Sequence, residues 1–368
     1  SDVIIIGAGA AGFMTAITSA KRGLNVLLLD HSKKIGEKIR ISGGGRCNFT
    51  NLYATSENYI SNNPHFCKSA LAGFTPQDFV NLLEKYQIKY HEKKLGQLFC
   101  DGKSTEIIDM LYREAKLAKV RIIDDCQVQE IKPGFQVITN HREFNARSLV
   151  IATGGLSIPQ IGATDFGYTI AKQFGLNIIE PSPALVPFTC KESIFKDLAG
   201  LSFDAEVSLG KRSFRENILF THKGLSGPAI LQISSYWKQG DSISIDLCPD
   251  MNLKQYLLEN KKKEKRKLKN ILKEIQFNPR QAEYAKINRG TIFPDNFIEH
   301  LASEFDLEKP LAEYSNELLE KVANRLEAWQ ITPTGTEGYA KAEVTTGGID
   351  TNELNSKTME SKKIPGLY

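Results

Sequence analysis

The chain opens on an apolar run, Val3-Ile4-Ile5-Ile6, followed at once by Gly7-Ala8-Gly9-Ala10-Ala11-Gly12. An apolar segment with small residues on one face comes next, and Val26-Leu27-Leu28-Leu29 then ends at Asp30. The pattern predicts strand, glycine turn, helix, strand, acid. Between Thr75 and Tyr86, Phe79, Leu82 and Leu83 recur at helical spacing, with Thr75 as cap and Pro76 at the first position. Ser104 to Leu117 predicts another helix, with Ile107, Ile108, Leu111 and Tyr112 on its apolar face. Leu98 to Cys100, Val120 to Ile123 and Ser148 to Ala152 read as strands; Gln127 to Ile131 and Phe135 to Thr139 read as a meander about the Pro133-Gly134 turn. Asp165 to Phe174 predicts a helix closed by Gly175. The prolines Pro181, Pro183 and Pro187 mark a crossover. Residues 188–249 then alternate polar and apolar, as in Phe203-Asp204-Ala205-Glu206-Val207 and Ile243-Ser244-Ile245-Asp246-Leu247, the period of antiparallel β structure. Ala229 to Ile233 is a helical run within it. Residues 250–330 lack alternation and read as helices; Glu343 to Ile349 is a strand meeting a Gly-Gly turn, and Ile364 to Tyr368 begins one more strand.

A length of 368 residues accommodates two or three domains, and 41% hydrophobic with 24% charged residues is ordinary for a globular protein. A net charge of +4 calls for neither a nucleic-acid nor a membrane partner. No apolar run reaches the ~20 residues that cross a bilayer. The first apolar residues belong to a strand, so no signal peptide is expected. Cys47, Cys67, Cys100, Cys126, Cys190 and Cys248 are scattered, without CxxC or Cys/His metal spacing. Reduced thiols, a cytoplasmic location and no metal site are the expectation. One charge run stands out, residues 261–269. Its neighbours Leu257, Leu258, Leu268, Ile271 and Leu272 have helical spacing, so it reads first as the solvated face of a helix and second as an RNA or membrane-surface contact.

The chemistry is carried by glycines. Gly7 permits a tight turn, Gly9 lets the backbone approach a pyrophosphate, and Gly12 lets helix and strand pack closely. The helix N-terminus offers free N–H groups to the phosphates, and Asp30, 23 residues after Gly7, is placed to hold a ribose hydroxyl. Gly43-Gly44-Gly45 forbids a regular helix or strand and suits backbone lying against a bound group; Arg46 beside it matches a phosphate or an anionic substrate. Thr153-Gly154-Gly155 ends a buried strand at the sheet edge where doubly wound folds bind ligands. There is one GxGxxG and no second copy, so one nucleotide is expected. A nicotinamide dehydrogenase fits the fingerprint alone. The meander in place of a helical crossover, and glycine pairs spread from 43 to 348, favour an extended cofactor touched at many points.

The motifs Gly36-Glu37-Lys38, Ser42-Gly43-Gly44-Gly45-Arg46-Cys47-Asn48-Phe49-Thr50-Asn51, Ala152-Thr153-Gly154-Gly155-Leu156-Ser157, Thr221-His222-Lys223-Gly224-Leu225-Ser226-Gly227-Pro228 and Thr358-Met359-Glu360-Ser361 resemble the YhiN/BaiN-like (aminoacetone oxidase-like) family of bacterial flavoproteins. The resemblance implies an α/β fold: a glutathione-reductase-like, discontinuous FAD-binding Rossmann domain with an inserted β-rich plus helical module. The expected parts are 1–186, 187–249, 250–332 and a return at 333–368 that stops before the last strand and helix of the FAD domain. The resemblance puts Gly7, Gly9, Ala10, Ala11 and Gly12 at the pyrophosphate and Asp30 at the adenosine ribose. Lys38, Gly44, Gly45 and Asn48 lie along the cofactor, Val128 meets the adenine through its backbone, and Thr153 and Gly154 sit near the phosphate end. Glu37 replaces a residue that is more often basic, and no role is carried onto it. The implied activity is that of an FAD-dependent oxidoreductase on a small organic substrate, by amine oxidation or reduction of an activated C=C bond, with NAD(P)H or oxygen as redox partner. Substrate is expected between the FAD domain and the inserted module. His222 is the candidate proton donor or substrate anchor, against the plainer reading of a loop-structuring hydrogen bond. Arg46 is the candidate for an anionic substrate group. Neither membrane nor nucleic acid is the expected partner. The alternatives are an RNA-associated flavoprotein docking through a basic 261–269 helix, and a flavin-binding scaffold without turnover.

Overall fold

A computed structural model describes residues 1–191, 194–275 and 293–368. Contacts divide the chain into two units, Ser1–Ser182 with Thr345–Tyr368, and Pro183–Val344. The elements of the first are, in order, β1 (Val3–Ile6), α1 (Ala10–Lys21), β2 (Val26–Leu29), α2 (Glu37–Ile41), β3 (Asn48–Asn51), α3 (Lys68–Gly73), α4 (Pro76–Lys85), β4 (Tyr90–Glu92), β5 (Gln97–Cys100), α5 (Thr105–Leu117), β6 (Arg121–Ile123), β7 (Val128–Lys132), β8 (Gln136–Thr139), β9 (Glu143–Asn145), β10 (Ser148–Ile151), α6 (Phe166–Gln173) and β11 (Ile178–Ala184).

The apolar runs that open the chain become the centre of a parallel sheet, ordered β10-β1-β2-β6. All four residues of β1 and of β2 are buried, because both faces of the sheet are covered. Alternate side chains feed two separate cores: Val3, Ile5, Val26 and Leu28 enter one with Phe13 and Ile17 of α1, and Ile4, Ile6, Leu27 and Leu29 enter the other with Leu149 and Ile170. At the far end of the chain Leu367 bridges Leu149 in parallel, with Leu149 N–H donating to the Gly366 carbonyl at 2.8 Å. The start of a strand expected there is formed. Smaller antiparallel sheets, β3-β5-β4 and β7-β8-β9, are inserted in sequence between β2 and β6 and between β6 and β10. The meander gains a third strand, β9, whose three residues are too few to show a period.

Helix α4 starts as its sequence dictates: Thr75 caps it, exchanging hydrogen bonds with Asp78. Helix α5 departs from expectation. Tyr112 is 40% exposed, and the buried face includes Met110 and Glu114 instead. Glu114 is tolerated there because the Lys21 and Lys85 ammonium groups and the Tyr86 hydroxyl, at 2.7 Å, all donate to it. Burial alone raises its carboxyl; the hydrogen bonds from Lys21, Lys85 and Tyr86 outweigh burial and hold it at about 2. The folded value lies below that of the unfolded chain, so the cluster contributes its full stability above the ordinary carboxylate range and loses it as pH falls toward 2. A Glu114→Gln variant is expected to lose roughly 1–3 kcal/mol at neutral pH. Chemical denaturation of variant and parent at pH 7 and pH 3 checks this; the difference shrinks at the lower pH.

The second unit contains β12 (Phe188–Thr189), α7 (Ile194–Asp197), β13 (Ser202–Leu209), β14 (Arg212–Thr221), β15 (Gly224–Ser226), α8 (Pro228–Ser234), β16 (Ile243–Asp246), α9 (Leu253–Asn260), α10 (Leu268–Glu274), α11 (Asp295–Glu304), α12 (Asn316–Glu327), β17 (Trp329–Ile331) and β18 (Gly335–Thr336). The final strand, β19 (Val344–Ile349), pairs with β11. Gly347 and Gly348 lie within β19 rather than in a turn after it. The unit is built on a seven-stranded sheet, β17-β16-β13-β14-β15-β12-β18. In β13 Phe203, Ala205 and Val207 are buried and the residues between them half-buried, matching the alternation in its sequence. These side chains share one core with the helices: the Phe203 and Phe297 rings lie 5.1 Å apart, and Phe220 stacks on Trp329 at 5.7 Å.

Two expectations for 250–330 fail. Trp329 begins β17, so the helical stretch ends earlier. The basic run is no helix: α9 ends at Asn260, α10 starts at Leu268, and the residues between form a loop. Residues 259–267 offer no apolar anchor, and lysines spaced three and four apart repel on a helix. The part of the helical expectation at 276–292 lies outside the described residues.

Candidate functional site

At the carboxyl edge of the parallel sheet the chain leaves β1 toward β2 on one side, while β10 lies on the other, which makes the β1/β10 junction the switch point of the sheet. The three fingerprint glycines do different work there. Gly7 has φ +105°, and a Cβ on it would lie 2.4 Å from the Ala152 carbonyl oxygen. A Cβ on Gly12 would lie 1.8 Å from the Gly7 oxygen. Both glycines are therefore demanded by the fold. Gly9 is not: its φ is −86°, and a Cβ on it would meet nothing within 4 Å. Gly9 caps α1 without a side-chain bond, and no acidic residue sits in the first turn. Ala10 and Ala11 after it are exposed. The result is an open, uncapped helix N-terminus bare of side chains, which fits a diphosphate.

Asp30 directly follows β2 beside this turn and is 9% exposed. Its carboxylate accepts from the Ala8 N–H at 2.6 Å and the Ser32 N–H at 2.8 Å. It thus ties the glycine turn to the end of β2, and each oxygen keeps capacity for a further donor. Ile123, at the end of β6, accepts from the Asp30 N–H at 3.0 Å, and β7 begins five residues later with half-buried Val128.

A second wall comes from 36–48. Gly36, at φ +74°, donates its N–H to the Ala8 carbonyl at 3.1 Å and so docks the start of α2 on the fingerprint loop. Lys38 on α2 donates to Ser157 Oγ at 2.8 Å, which joins α2 to the loop after Gly155. Gly43, Gly44 and Gly45 all have positive φ, at +58°, +67° and +85°. This left-handed turn is open to glycine alone over three residues. Only Gly43 is pressed by protein, with a Cβ 2.7 Å from the Asn48 nitrogen; Gly44 and Gly45 face open space. Arg46 and Asn48 are exposed, and Arg46 makes no ion pair among the described residues. Cys47 is buried, and burial pushes its thiol up, away from reactivity. Gly154 at φ +75° also faces open space, one residue past Thr153.

Gly7, Gly9, Ala10, Ala11, Gly12, Asp30, Lys38, Gly44, Gly45, Asn48, Val128, Thr153, Gly154 and Arg46 all belong to the first unit. The sequence placed Gly36 and Ser157 within motifs but gave no role to them or to Thr345. Thr345 Oγ1 accepts from the Ser157 N–H at 3.1 Å and packs where a Gly155 Cβ would stand. Lys38 and Ser157 meet across 119 positions, and Ser157 and Thr345 across 188, separations no local pattern carries.

His222 belongs to the second unit, exposed at the turn between β14 and β15. It does not build that turn. Thr221 Oγ1 accepts from the Lys223 and Gly224 N–H groups, at 3.3 and 3.1 Å, and Lys223 pairs with Glu337 at 3.3 Å. A His222→Ala variant is expected to change stability by less than about 0.5 kcal/mol, as for an exposed side chain without a structural bond; thermal melts check it. Among the described residues no group of three His, Cys, Asp or Glu is placed to hold a metal, and no helix is long and apolar enough to cross a membrane.

Comparison with known proteins gives a family match over the whole chain: the model described as "HI0933-like protein Rossmann domain" covers residues 1–368. The chain is 44% identical to a ribosomal RNA dihydrouridine synthase of Escherichia coli (strain K12), over 100% of this chain and 90% of that protein. It is 42% identical to the protein of the same description from Haemophilus influenzae, with the same coverage. A 3-dehydro-bile acid delta(4,6)-reductase of Clostridium scindens is 26% identical over 99% of the chain and 90% of that protein. Among solved structures, the open conformation of a flavocytochrome c3 fumarate reductase aligns with a TM-score of 0.39 and 20% identity, over 55% of this chain and 47% of that one.

Proposed function

Because this chain belongs to the HI0933-like Rossmann family of FAD-dependent oxidoreductases, we propose that it reduces a C=C bond conjugated to a carbonyl, and that this bond lies in a uracil base of ribosomal RNA. One observation carries the reading. Relatives at 44% and 26% identity are named for dissimilar substrates, a uridine in RNA and a bile acid, yet both names describe saturation of an unsaturated ring. In both rings the double bond is conjugated to a carbonyl. The shared reaction supports reduction of a conjugated C=C bond, and the higher identity favours RNA over the steroid acid as its substrate. The RNA reading, an alternative from the sequence alone, is therefore preferred to amine oxidation.

FAD, when bound, supplies the hydride chemistry. The chain's own residues do the rest. The N–H groups of Ala10, Ala11 and Gly12 at the bare start of α1 hold the diphosphate, with Gly9 leaving the room. Asp30 takes a ribose hydroxyl while its other bonds fix the turn. Gly44, Gly45, Asn48, Thr153 and Gly154 line the cofactor with backbone, Lys38 braces two of these loops, and Val128 meets the adenine. Saturating a conjugated bond also requires a proton at the carbon next to the carbonyl. His222 is free to deliver one, since no hydrogen bond in its turn depends on it. Arg46, exposed and unpaired among the described residues, suits the uracil oxygen or a neighbouring phosphate.

The test is FAD-loaded protein with NADH or NADPH, without oxygen, on ribosomal RNA from a strain lacking the gene, read by mass spectrometry of the nucleosides. Dihydrouridine is expected at a discrete position. Reduction of a 3-oxo bile acid with the RNA untouched would overturn the RNA reading.

A further inference from the structure

We propose that the loop joining α9 to α10, Lys261–Lys267, is the docking surface for the phosphate backbone of the RNA substrate, an inference that rests on the RNA reading above. The first observation is where the charge sits. Residues 261–269 hold seven basic side chains and one acidic one, while the whole chain is only +4, so the rest of the chain is net negative. Lysines serving solubility alone are dispersed; six of these seven basic residues lie on one loop.

The second observation is how the loop is built. Its basic residues divide into two sets. One set holds the loop in place: Arg266 pairs with Glu264 at 2.6 Å and with Glu274, Lys267 pairs with Glu308 at 3.0 Å, and Lys261 donates to Asn316 at 2.9 Å. The backbone is fastened as well: the Leu311 N–H donates to the Arg266 carbonyl and the Leu268 N–H to the Lys309 carbonyl, both at 3.1 Å. The other set, Lys262, Lys263 and Lys265, is exposed and makes no ion pair among the described residues. Three unneutralised ammonium groups on a fastened loop match a run of phosphates, and pay little ordering entropy in the backbone on binding.

The third observation separates RNA from a membrane surface. A segment lying in a lipid interface needs apolar side chains to insert. None of the exposed large hydrophobic residues falls between 250 and 275. The cofactor-lining residues all belong to the first unit, and the loop contains none of them.

The experiment compares the parent protein with a Lys262→Gln/Lys263→Gln/Lys265→Gln variant and its Lys→Arg counterpart. Binding to a fragment of ribosomal RNA is measured over a series of salt concentrations. Each phosphate contact to a single strand contributes about 0.7 to the slope of log K against log salt, so the glutamine variant is expected to be shallower by roughly 2. The KM for RNA rises about tenfold or more at low salt, and the arginine variant keeps parental behaviour. FAD content, melting temperature and NAD(P)H oxidation with a small dye acceptor stay at parental values. Equal slopes for parent and glutamine variant overturn the inference, as does a loss confined to anionic lipid vesicles. Binding is read on RNA itself, so it decides the loop's role separately from turnover. A parent that binds RNA through this loop but makes no dihydrouridine refutes the proposed reaction instead.

Discussion

A Gly9→Ala variant is expected to fold as the parent does and to lose its FAD. The protein itself makes no demand for glycine at this position, since the backbone there is ordinary and the added methyl would touch no protein atom. The cost to the fold is that of a poorer helix cap, about 1 kcal/mol at most. On the proposed cofactor site, the methyl would stand where the diphosphate approaches the first N–H groups of α1. Crowding of that kind costs about 1–3 kcal/mol, or roughly 5- to 150-fold in affinity. Flavin fluorescence titration and a melt of the cofactor-free protein measure the two quantities side by side. A large loss of stability with unchanged FAD affinity would mean that Gly9 serves packing.

Gly12→Ala is expected to do the reverse. Its methyl would lie 1.8 Å from the Gly7 oxygen and 3.5 Å from Ala152 Cβ, so α1 must back away from the sheet. The atom it meets first is backbone and cannot rotate aside. A penalty of about 3 kcal/mol or more follows, which lowers the melting temperature of a unit of this size by roughly 6–12 °C. Added FAD does not repair it, because the defect lies between helix and strand. The two variants, three residues apart in one motif, separate what the ligand requires from what the fold requires.

That separation shows where the sequence is readable. The strand–glycine–helix–strand–acid order was legible because each piece has a local cause: apolar runs for strands covered on both faces, and glycines where no side chain fits. Helix α4 was legible from Thr75 and Pro76, and β13 from its alternation. The failures have physical reasons too. Tyr112 and Glu114 exchange places on α5 because a buried carboxylate is permitted by Lys21, Lys85 and Tyr86, which come from other helices or their ends. Strands β17 and β18 are three and two residues long and carry no period; they exist because β16 and β12 offer free edges. The basic run looked helical because Leu257, Leu258, Leu268, Ile271 and Leu272 have helical spacing, yet Leu257 and Leu268 are buried in different helices. In the site, the glycines were visible, but the brace from Lys38 to Ser157 to Thr345 was not, since its three members meet only in the folded chain. His222 was visible as a chemically able residue, and its freedom from the turn's hydrogen bonds became visible only in three dimensions.

The measurement that bears most directly on the whole account is uptake of flavin by the cofactor-free protein, with FAD and FMN compared in equilibrium titrations. A site that grips the diphosphate at the start of α1 and the adenosine ribose at Asp30 should take up FAD with a stoichiometry of one and leave FMN, which lacks both features, in solution. Equal uptake of the two flavins, or of neither, would contradict it.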